Sequence, residues 1–424
     1  LPTAATGDWI LGINASMPCA RRLALATIPS GGTDTGLAAI SRRYRERENH
    51  ISSDSWPIYI SLQKDGILFK MRRTQDLPDK ESATMFFQDC KLTHQAQITG
   101  ISHSIKEILP PDLLNLTQLQ KEANIRYGYT ASEVYDIAQA LYEKKLISYP
   151  RTSSRYLTED VFDSLSPIMA RLLSWELFPA AKGTGGIDIS SLSRHVISAE
   201  KANVHHAIII TGIRPGNLSE KEMQVYRLVA GRMLETFMAP CRIETTNVEA
   251  VCAAQHFKAE QTRIIEAGWH DVFMRSDMVP KSGYSVNELP EVEKSDTLNV
   301  CGCNMVHKKQ LPVNPFTDAE LVEYMEQNGL GTVSSRTNII RTLVNRKYIR
   351  YSGKYIVPTP KGMFTYETIR GKKIADTSLT ADWEKQLAGL ESGMITGQDF
   401  LNRIRTLAKE MTDDIFNTYS TKEE

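Results

Sequence analysis

The stretch LISYPRTSSRYL places Tyr149 and Arg151 on either side of Pro150. Proline biases the residue before it toward extended backbone, and alternate residues of extended backbone point to the same side. A phenol is a weak nucleophile at neutral pH because its ordinary pKa is about 10, and a nearby guanidinium favours the phenolate. A guanidinium can also hold a phosphate through two hydrogen bonds. The pair suits attack on a phosphodiester, although on spacing alone a buried tyrosine beside a surface arginine is the commoner explanation.

Two adjacent histidines, His205 and His206, precede the apolar run AIII. A histidine at this position could contact a phosphate or transfer a proton. Adjacent histidines also mark the edges of ordinary strands and helices. No further ligand lies at a spacing that would make the two histidines a metal site.

A third stretch, GLGTVSSRTNIIRTLVNRKYIRYSGKYIV, predicts a helix capped by Ser334 or Ser335 and a hairpin that turns at Ser352-Gly353. The apolar side of the helix carries Ile339, Ile340, Leu343 and Val344, and its basic residues are Arg336, Arg341, Arg346 and Lys347. A helix followed by a hairpin is typical of winged-helix DNA binders, and a glycine-rich helix entry suits a phosphate. The alternative, to which we give equal weight, is that these basic residues form a solvent-exposed helix surface without a role in DNA binding.

Helical and strand-like blocks alternate around these stretches. The first fifty residues are predicted to be helical, and a hairpin follows from Trp56 with its turn at Asp65-Gly66. A strand-like run covers 91–105, helices dominate 116–213 and 219–238, strands return over 243–312, and the tail is helical with one hairpin. This order suggests that a helical domain is inserted into a strand-rich one.

Length and composition limit the classes of protein to which this chain can belong. The 424 residues are enough for two to four compact units, and no apolar run approaches the roughly 20 residues that span a bilayer. Fifty basic and fifty acidic residues cancel, so a DNA-binding surface would need local segregation of charge. Six scattered cysteines are typical of free thiols in a reducing compartment. Gly183–Gly186 lacks the Gly-Lys-Ser/Thr of a P-loop, so no nucleotide site is expected.

Taken in order, these stretches resemble the type IA DNA topoisomerases, in the bacterial topoisomerase III branch. The family's active-site segment, close to LITYPRTDSRYL, stands here as LISYPRTSSRYL, and its LTSLQKEANRRYGFSA stands as LTQLQKEANIRYGYTA. Further matches are HHAI at 205–208, GLGTVSSRTNII at 329–340, LTADWE at 379–384 and DWILGINAS at 8–16. The matches keep the family order over nearly the whole chain.

The resemblance implies a mixed α and β, multidomain fold, namely the toroidal body of a type IA topoisomerase with helical domains and a β-strand arch. The implied division assigns 1–54 and 313–424 to a base domain, whose second part is helical and winged-helix-like. Residues 55–114 and 216–312 would form the arch, and residues 115–215 the helical domain that carries the catalytic tyrosine.

The resemblance also implies roles for individual residues. Tyr149 would attack single-stranded DNA and form a 5′-phosphotyrosine link, which conserves the bond energy and makes ATP unnecessary. Arg151 corresponds to the arginine that positions the scissile phosphate, and His205 to the histidine that contacts phosphate and handles a proton. The implied DNA-binding residues are Thr117, Gln120, Ser153, Arg155, His206, Thr332, Ser335 and Arg336.

Several positions depart from the family pattern. Ser153 stands for the family's aspartate, and Ile210 for a proline. The family's SLGRVQTPTL is replaced by IPSGGTDTGL at 28–37, without its arginine and glutamine. The magnesium-binding Toprim domain of the family supplies a glutamate and an Asp-x-Asp pair, and no Asp-x-Asp occurs in this chain.

We therefore expect Mg²⁺ in the complete enzyme, with its ligands supplied from upstream or by another chain and no metal ligands here. The chain alone is expected to bind single strands and to cleave them poorly or not at all. A monomer in the bacterial cytoplasm, associated with the nucleoid and not with a membrane, is expected. A non-catalytic single-stranded DNA-binding remnant of the fold is the main alternative, and a winged-helix regulator would explain only the tail.

Overall fold

The computed structural model describes residues 33–175, 177–179, 187, 192–202, 205–273 and 281–371, together with scattered positions between 394 and 410. Four features of the sequence lie wholly or partly outside the described residues: 8–16, 28–32, Gly183–Gly186 and 379–384.

Helices and strands alternate along the described chain. The helices are α1 (Thr33–Glu48), α2 (Lys80–Leu92), α3 (Leu116–Tyr127), α4 (Ala131–Glu143), α5 (Glu159–Asp163), α6 (Leu165–Ser174), α7 (Ala199–Ala202), α8 (Glu220–Phe237), α9 (Asp318–Gln327), α10 (Val333–Asn345) and α11 (Pro360–Ile369). The strands are β1 (Asp54–Ser55), β2 (Ile58–Lys64), β3 (Ile67–Arg73), β4 (Gln95–Ile108), β5 (Cys241–Cys252), β6 (Gln255–Glu266), β7 (Thr297–Met305), β8 (Lys308–Lys309), β9 (Ile349–Ser352) and β10 (Tyr355–Pro358). None of the helices described has the length and apolar character needed to cross a bilayer.

The longer strands close into an antiparallel barrel in the order β2-β3-β6-β5-β4-β7. The β2–β3 hairpin turns at Asp65-Gly66, as predicted, and both residues have positive φ. Such a two-residue turn matches the right-handed twist of the strands. Alternate residues of β2, namely Ile58, Ile60 and Leu62, are fully buried inside the barrel. The barrel draws strands from both sides of the helical segment in the sequence.

Helix α2 was not predicted from the sequence. It lies between β3 and β4, and the Asp79 side chain caps it by accepting a hydrogen bond from the Ser82 amide at 2.7 Å. The strand-like run expected from residue 91 therefore begins at Gln95 instead. The alternation that signals β4 extends back over the end of the helix, which explains the early prediction.

Helices α3, α4, α6 and α8 share one hydrophobic cluster. The spacing i, i+3, i+4, i+7 of Val134, Ile137, Ala138 and Leu141 predicts that these residues share the inner side of α4. The structure confirms this, because Val134, Ala138 and Leu141 are fully buried and Ile137 packs against the same cluster. Thr130 begins this helix through a capping box with Glu133, which satisfies amides that the first turn leaves free.

A second hydrophobic cluster joins the amino-terminal helix α1 to the carboxy-terminal elements α9, α10, β9 and β10. The structure corrects two local predictions here. Thr332 is the N-cap of α10, with Ser335 closing the capping box, so the helix begins before Ser334. Ser352 pairs with Tyr355, so the hairpin turns at Gly353-Lys354, one residue later than expected.

A buried ion network ties α8 to α3. The Arg232 guanidinium donates to Glu122 at 2.8 Å and to Glu235 at 2.9 Å, and it also donates to the carbonyl oxygen of Asp112 at 3.1 Å. The Glu235 side chain is fully buried. Removing one partner of such a network leaves an uncompensated buried charge.

We expect Arg232→Met to lower the free energy of unfolding by about 3–5 kcal/mol, because the buried Glu235 carboxylate and the partly buried Glu122 carboxylate would both lose the positive charge of the guanidinium. The matched control is Arg263→Met, since Arg263 forms an exposed ion pair with Glu244 on the barrel, and a loss of under about 1 kcal/mol is expected there. Urea denaturation followed by circular dichroism measures both values. An equal loss of unfolding free energy in the two variants would contradict the conclusion that the Arg232 network stabilises the fold more than an exposed ion pair does.

Asp34 lies in α1 with only 6% of its surface exposed, and its Oδ1 atom has no hydrogen-bond partner among the residues that the structure describes. Burial raises the pKa of this carboxyl well above its ordinary value, and the charge of Arg346 opposes that shift only in part. The folded chain therefore favours the neutral acid.

We expect Asp34→Asn to stabilise the protein increasingly as the pH rises above about 4, the ordinary carboxyl pKa. Below that pH both folded and unfolded chains carry a neutral Asp34, so the two proteins should melt alike. Above it the unfolded chain ionises first, and the native protein loses stability until the raised folded-state pKa is passed. Thermal melting of both proteins between pH 4 and 8 measures the difference, and a difference that does not change with pH would refute the buried neutral acid.

Candidate active site

Tyr149 lies in an irregular segment that follows helix α4, and its backbone is fixed by pairing with a distant run. Ile147 forms an antiparallel bridge with Ile210. The Ser148 amide donates to the Ile209 carbonyl oxygen at 2.8 Å, and the Ile209 amide donates to the Ser148 hydroxyl at 3.0 Å. The residue just before Tyr149 is thus held from both sides.

The distant run is Ala207–Ile210, which is buried among the helices. Its amides donate to the carbonyl oxygens of Tyr156 at 2.9 Å and Leu114 at 2.8 Å. Buried backbone groups need such partners, and the apolar side chains of the run bury surface at the same time. His205 and His206 come immediately before the run, so its burial brings them to the surface beside Tyr149, with His205 exposed and His206 half-buried.

The Tyr149 ring packs between two other rings. Its centroid lies 4.5 Å from that of His205 and 5.4 Å from that of Tyr142, which meets it edge-on. Tyr149 itself is half-buried. Tyr149 and His205, which were predicted separately as catalytic residues, are therefore in contact, and the Tyr149 side chain is partly accessible to solvent.

Arg151 extends toward helix α4. Its Nη2 atom donates to the Gln139 Oε1 atom at 3.1 Å, and its guanidinium carbon lies 5.2 Å from the centre of the Tyr135 ring. Within the described part of the chain, the buried Nε atom of Arg151 has no hydrogen-bond partner. A guanidinium carries five N–H donors, so Arg151 has donors beyond the one that bonds Gln139.

Sequence reasoning missed the three residues of α4 that make these contacts: Tyr135, Gln139 and Tyr142. They are spaced i, i+4, i+7, so they lie on one side of the helix. That spacing was visible within the predicted helix, but only the tertiary contact shows that this side meets Tyr149 and Arg151.

Thr152 joins the tyrosine segment to the histidine segment. Its hydroxyl donates to the His205 carbonyl oxygen at 2.9 Å and accepts from the Ser154 amide at 3.0 Å, while its own carbonyl accepts from the Leu116 amide. Thr152 is 3% exposed. The hydrogen bond from the buried Thr152 side chain to the His205 backbone thus helps to hold His205 against Tyr149.

Of the residues predicted to bind DNA, three surround this site. Ser153 is exposed, and its carbonyl oxygen accepts from the Asn115 side chain at 3.0 Å. Arg155 is partly exposed and lies 3.7 Å from Asp112. The Nδ1 atom of His206 lies 2.7 Å from the Ala207 carbonyl oxygen.

Thr117, Gln120 and Arg336 instead lie in a buried joint between α3 and the carboxy-terminal helices. The Gln120 amide donates to the Ala131 carbonyl oxygen and to the Thr337 hydroxyl, each at 2.9 Å. Arg336 lies 3.4 Å from Glu326, which also accepts from the Thr117 hydroxyl at 3.0 Å. All three predicted residues are at most 8% exposed, so in this structure they do not line an open groove.

The remaining two, Thr332 and Ser335, form the start of helix α10. The Thr332 amide donates to the Ser335 hydroxyl at 2.8 Å, and the Thr332 side chain is exposed. Among the basic residues of α10, Arg341 makes two hydrogen bonds to Asp136 of α4, at 2.9 and 3.0 Å. Arg336 and Arg341 are thus engaged with other elements rather than spread on a free helix surface.

The described residues do not provide a site for the Mg²⁺ that the resemblance implies. No group of three or more His, Cys, Asp or Glu side chains within the described ranges could hold a metal ion. The groups that contact Tyr149 and Arg151 are phenols, an imidazole and the Gln139 amide; of these, the amide oxygen is a suitable ligand for a hard cation, and it accepts a hydrogen bond from Arg151.

Comparison with known proteins agrees with this fold and these motifs. The protein family described as DNA topoisomerase matches residues 5–402. DNA topoisomerase 3 of Bacillus licheniformis is 29% identical over 97% of this chain and 59% of its own length, and that of Bacillus subtilis is 28% identical over 98% and 60%. The structure of full-length topoisomerase I from Thermotoga maritima aligns with a TM-score of 0.74 at 22% identity, covering 98% of this chain and 68% of that one.

The fold is the multidomain, toroidal type IA topoisomerase body, as the resemblance implied. The chain belongs to the DNA topoisomerase family, in its type IA group. It spans about 59% of the length of its topoisomerase 3 relatives.

We expect Thr152→Val to lower the free energy of unfolding by about 1–3 kcal/mol, because it removes a buried hydroxyl that donates to the His205 carbonyl oxygen and accepts from the amide of the buried Ser154. Ser153→Ala is the matched control, since the neighbouring Ser153 side chain is exposed and a change within about 0.5 kcal/mol is expected. Urea denaturation compares the two variants. A loss in Ser153→Ala as large as that in Thr152→Val would argue against the buried link.

Proposed function

We propose that Tyr149 cleaves single-stranded DNA as the nucleophile of a type IA topoisomerase reaction. The observation that carries the proposal is the contact of the Tyr149 ring with His205. Arg151, two residues further along the chain, is held against helix α4, which also carries the Tyr142 ring that contacts Tyr149. A nucleophile, a proton-transferring group and a phosphate-binding group are thereby grouped at one partly open position.

In the proposed reaction the Tyr149 phenol oxygen attacks the phosphorus of a phosphodiester. A phosphorus–oxygen bond to the tyrosine forms, the bond to the 3′-oxygen breaks, and the strand remains joined to the protein through its 5′-phosphate. The phenol proton leaves and a proton reaches the 3′-oxygen. Because one phosphodiester replaces another, the 3′-hydroxyl can later attack the link and reseal the strand without ATP.

The neighbouring residues have distinct parts in this reaction. Arg151 orients the phosphate and favours the phenolate, since a guanidinium stabilises both anions. His205 is exposed beside the phenol, where an imidazole can contact the phosphate and carry a proton. Tyr135 and Gln139 hold Arg151 in place from helix α4.

The DNA strand would pass over the exposed surface that carries Ser153, Arg155, His205 and His206. Mg²⁺, implied by the resemblance, would have to be held by residues other than those described, so no step is assigned to it here. The protein would act as a monomer, and its substrate would be chromosomal DNA in the bacterial cytoplasm.

We also propose the division into a base domain, an arch and a helical domain. Three hydrophobic clusters support it: one in the barrel, one that joins α1 to α9, α10, β9 and β10, and one among the helices around the Tyr149 segment. Helix α8 packs with the last of these clusters, which extends the helical unit beyond residue 215.

The test is a covalent capture assay with end-labelled single-stranded DNA and magnesium, quenched in denaturant. It is run with the chain alone and with the amino-terminal Toprim domain of a topoisomerase 3 relative added. We expect a covalent protein–DNA band with the added domain and little or none without it. Tyr149→Phe should abolish the band, while Tyr142→Phe, which removes a hydroxyl from the neighbouring ring, should retain it within about tenfold, a cost of roughly 1.4 kcal/mol.

Each other outcome has a defined meaning. An adduct that persists in Tyr149→Phe would assign the nucleophile elsewhere and refute the proposal. Tight binding of the labelled strand without an adduct in either condition would favour the non-catalytic single-stranded DNA-binding protein.

A further inference from the structure

Three cysteine residues meet where helix α2 covers the barrel. Cys90 lies on α2, Cys252 ends β5 and Cys303 lies on β7, and all three are free thiols. Cys90 and Cys252 are at most 1% exposed, whereas Cys303 is partly exposed. The Cys90 thiol lies within hydrogen-bonding reach of the other two, and the Cys303 sulfur lies 4.0 Å from the Phe87 carbonyl oxygen of α2.

A β-bulge places Cys303 in this cluster. Val300 pairs with Leu62 and Gly302 with Ser61, so Cys301 is the extra residue of β7. In a regular strand Cys301 and Cys303 would face the same side, but a bulge shifts the alternation by one residue. Val300 packs in the barrel core before the bulge and Cys303 after it, while Cys301 is exposed. The Cys-Gly-Cys sequence is therefore not a pair in space, and Cys303 faces Cys90 instead.

The three thiols differ in reactivity. A hydrogen bond from Cys90 lowers the pKa of Cys303, and the nearby Lys91 charge acts in the same direction. A hydrogen bond with Cys90, together with burial, raises the pKa of Cys252. Because the thiolate is the reactive form and must be reached by the oxidant, Cys303 is the thiol of this cluster that reacts first.

We propose that Cys303 and Cys90 form a peroxide-sensitive disulfide site in the barrel. The Cys303 sulfur attacks one oxygen of hydrogen peroxide, the oxygen–oxygen bond breaks, and a sulfenic acid and one water result. The Cys90 sulfur then attacks the Cys303 sulfur, the sulfur–oxygen bond breaks, and a second water leaves with the Cys90 proton. Two electrons pass from the two thiols to the peroxide, and an external dithiol returns them.

The disulfide would tie α2 to β7. Helix α2 packs against β7 and β2 through the barrel cluster, so a covalent link there would restrict its movement on the barrel. A cross-link between residues 90 and 303 also closes a long loop in the unfolded chain, which stabilises the native state. This inference stands independently of the proposed DNA chemistry.

The test treats the full chain with hydrogen peroxide, blocks the remaining thiols, digests the protein and identifies linked peptides by mass spectrometry. We expect a Cys90–Cys303 peptide, two fewer free thiols, and a melting temperature that rises and returns to its starting value with dithiothreitol. Cys301→Ser is the matched control, because Cys301 lies two residues away on the outside of the same strand, and it should give the same peptide. In Cys90→Ala the linked peptide should vanish, and Cys303 should be trapped as a sulfenic acid by dimedone.

Three results would overturn the proposal. The first is oxidation of Cys301 ahead of Cys303, the second is a Cys90–Cys252 peptide in place of the expected one, and the third is loss of the linked peptide in Cys301→Ser. If the buried Cys90→Ala change prevents folding, the partly exposed Cys303→Ser serves instead. In that variant Cys90 should keep its thiol at peroxide doses that oxidise it in the native chain, and oxidation of Cys90 at equal doses would also contradict the proposal.

Discussion

The geometry of the candidate site around Tyr149 depends on one interaction, the pairing of the buried run Ala207–Ile210 with the backbone around Ile147 and Ser148. The run has no regular sheet around it, so its amides and carbonyls must find partners in three separate segments. Those bonds, together with the burial of its apolar side chains, hold His205 against Tyr149. An unpaired buried amide or carbonyl would cost about 1–3 kcal/mol, so the segments are fixed relative to one another.

Helix α4 adds a second constraint on the same site. Its inner side, with Val134 and Ala138, is buried in the hydrophobic cluster, while another side presents Gln139 and Tyr142 to the tyrosine segment. A helix that is anchored by its apolar side is a rigid support for the residues on its other sides. The site is therefore built from an irregular loop whose key side chains rest on a packed helix.

The joint between this helical unit and the carboxy-terminal helices is of a different kind, because buried polar groups dominate it. The Asp318 Oδ1 atom accepts from the Ala131 amide and from the Tyr351 hydroxyl, each at 3.1 Å. Burial raises the pKa of Asp318, and the two hydrogen bonds counteract part of that shift. Gln120 and Arg336 belong to the same joint. Polar groups of this kind can exchange their partners for water, whereas the apolar clusters on either side lose stabilisation when exposed.

The sequence alone determined the features whose causes are local. The Asp65-Gly66 turn and the buried side of α4 follow from the types and spacing of neighbouring residues, and the structure confirms them. The sequence also predicts a cap at the start of α4 from Thr130 or Ser132, and the structure selects Thr130. The ordered motifs around Tyr149 and His205 also identified the family, which the comparisons confirm. Local signals were less exact at element ends, where α2 and the Thr332 cap were missed because adjacent strand-like or serine-rich residues carry a similar signal.

Only the tertiary structure decided what depends on contacts between residues far apart in the chain. Thr117, Gln120 and Arg336 were predicted to contact DNA, but they are buried against one another and against α9 and α10. Local sequence cannot show this, because burial is set by whichever distant element packs on top. The same holds for the sulfur cluster, in which one bulge residue in β7 turns Cys303 toward Cys90 and leaves Cys301 outside. The pattern of residue types established the chemistry that is available, and packing decided which of those groups meet.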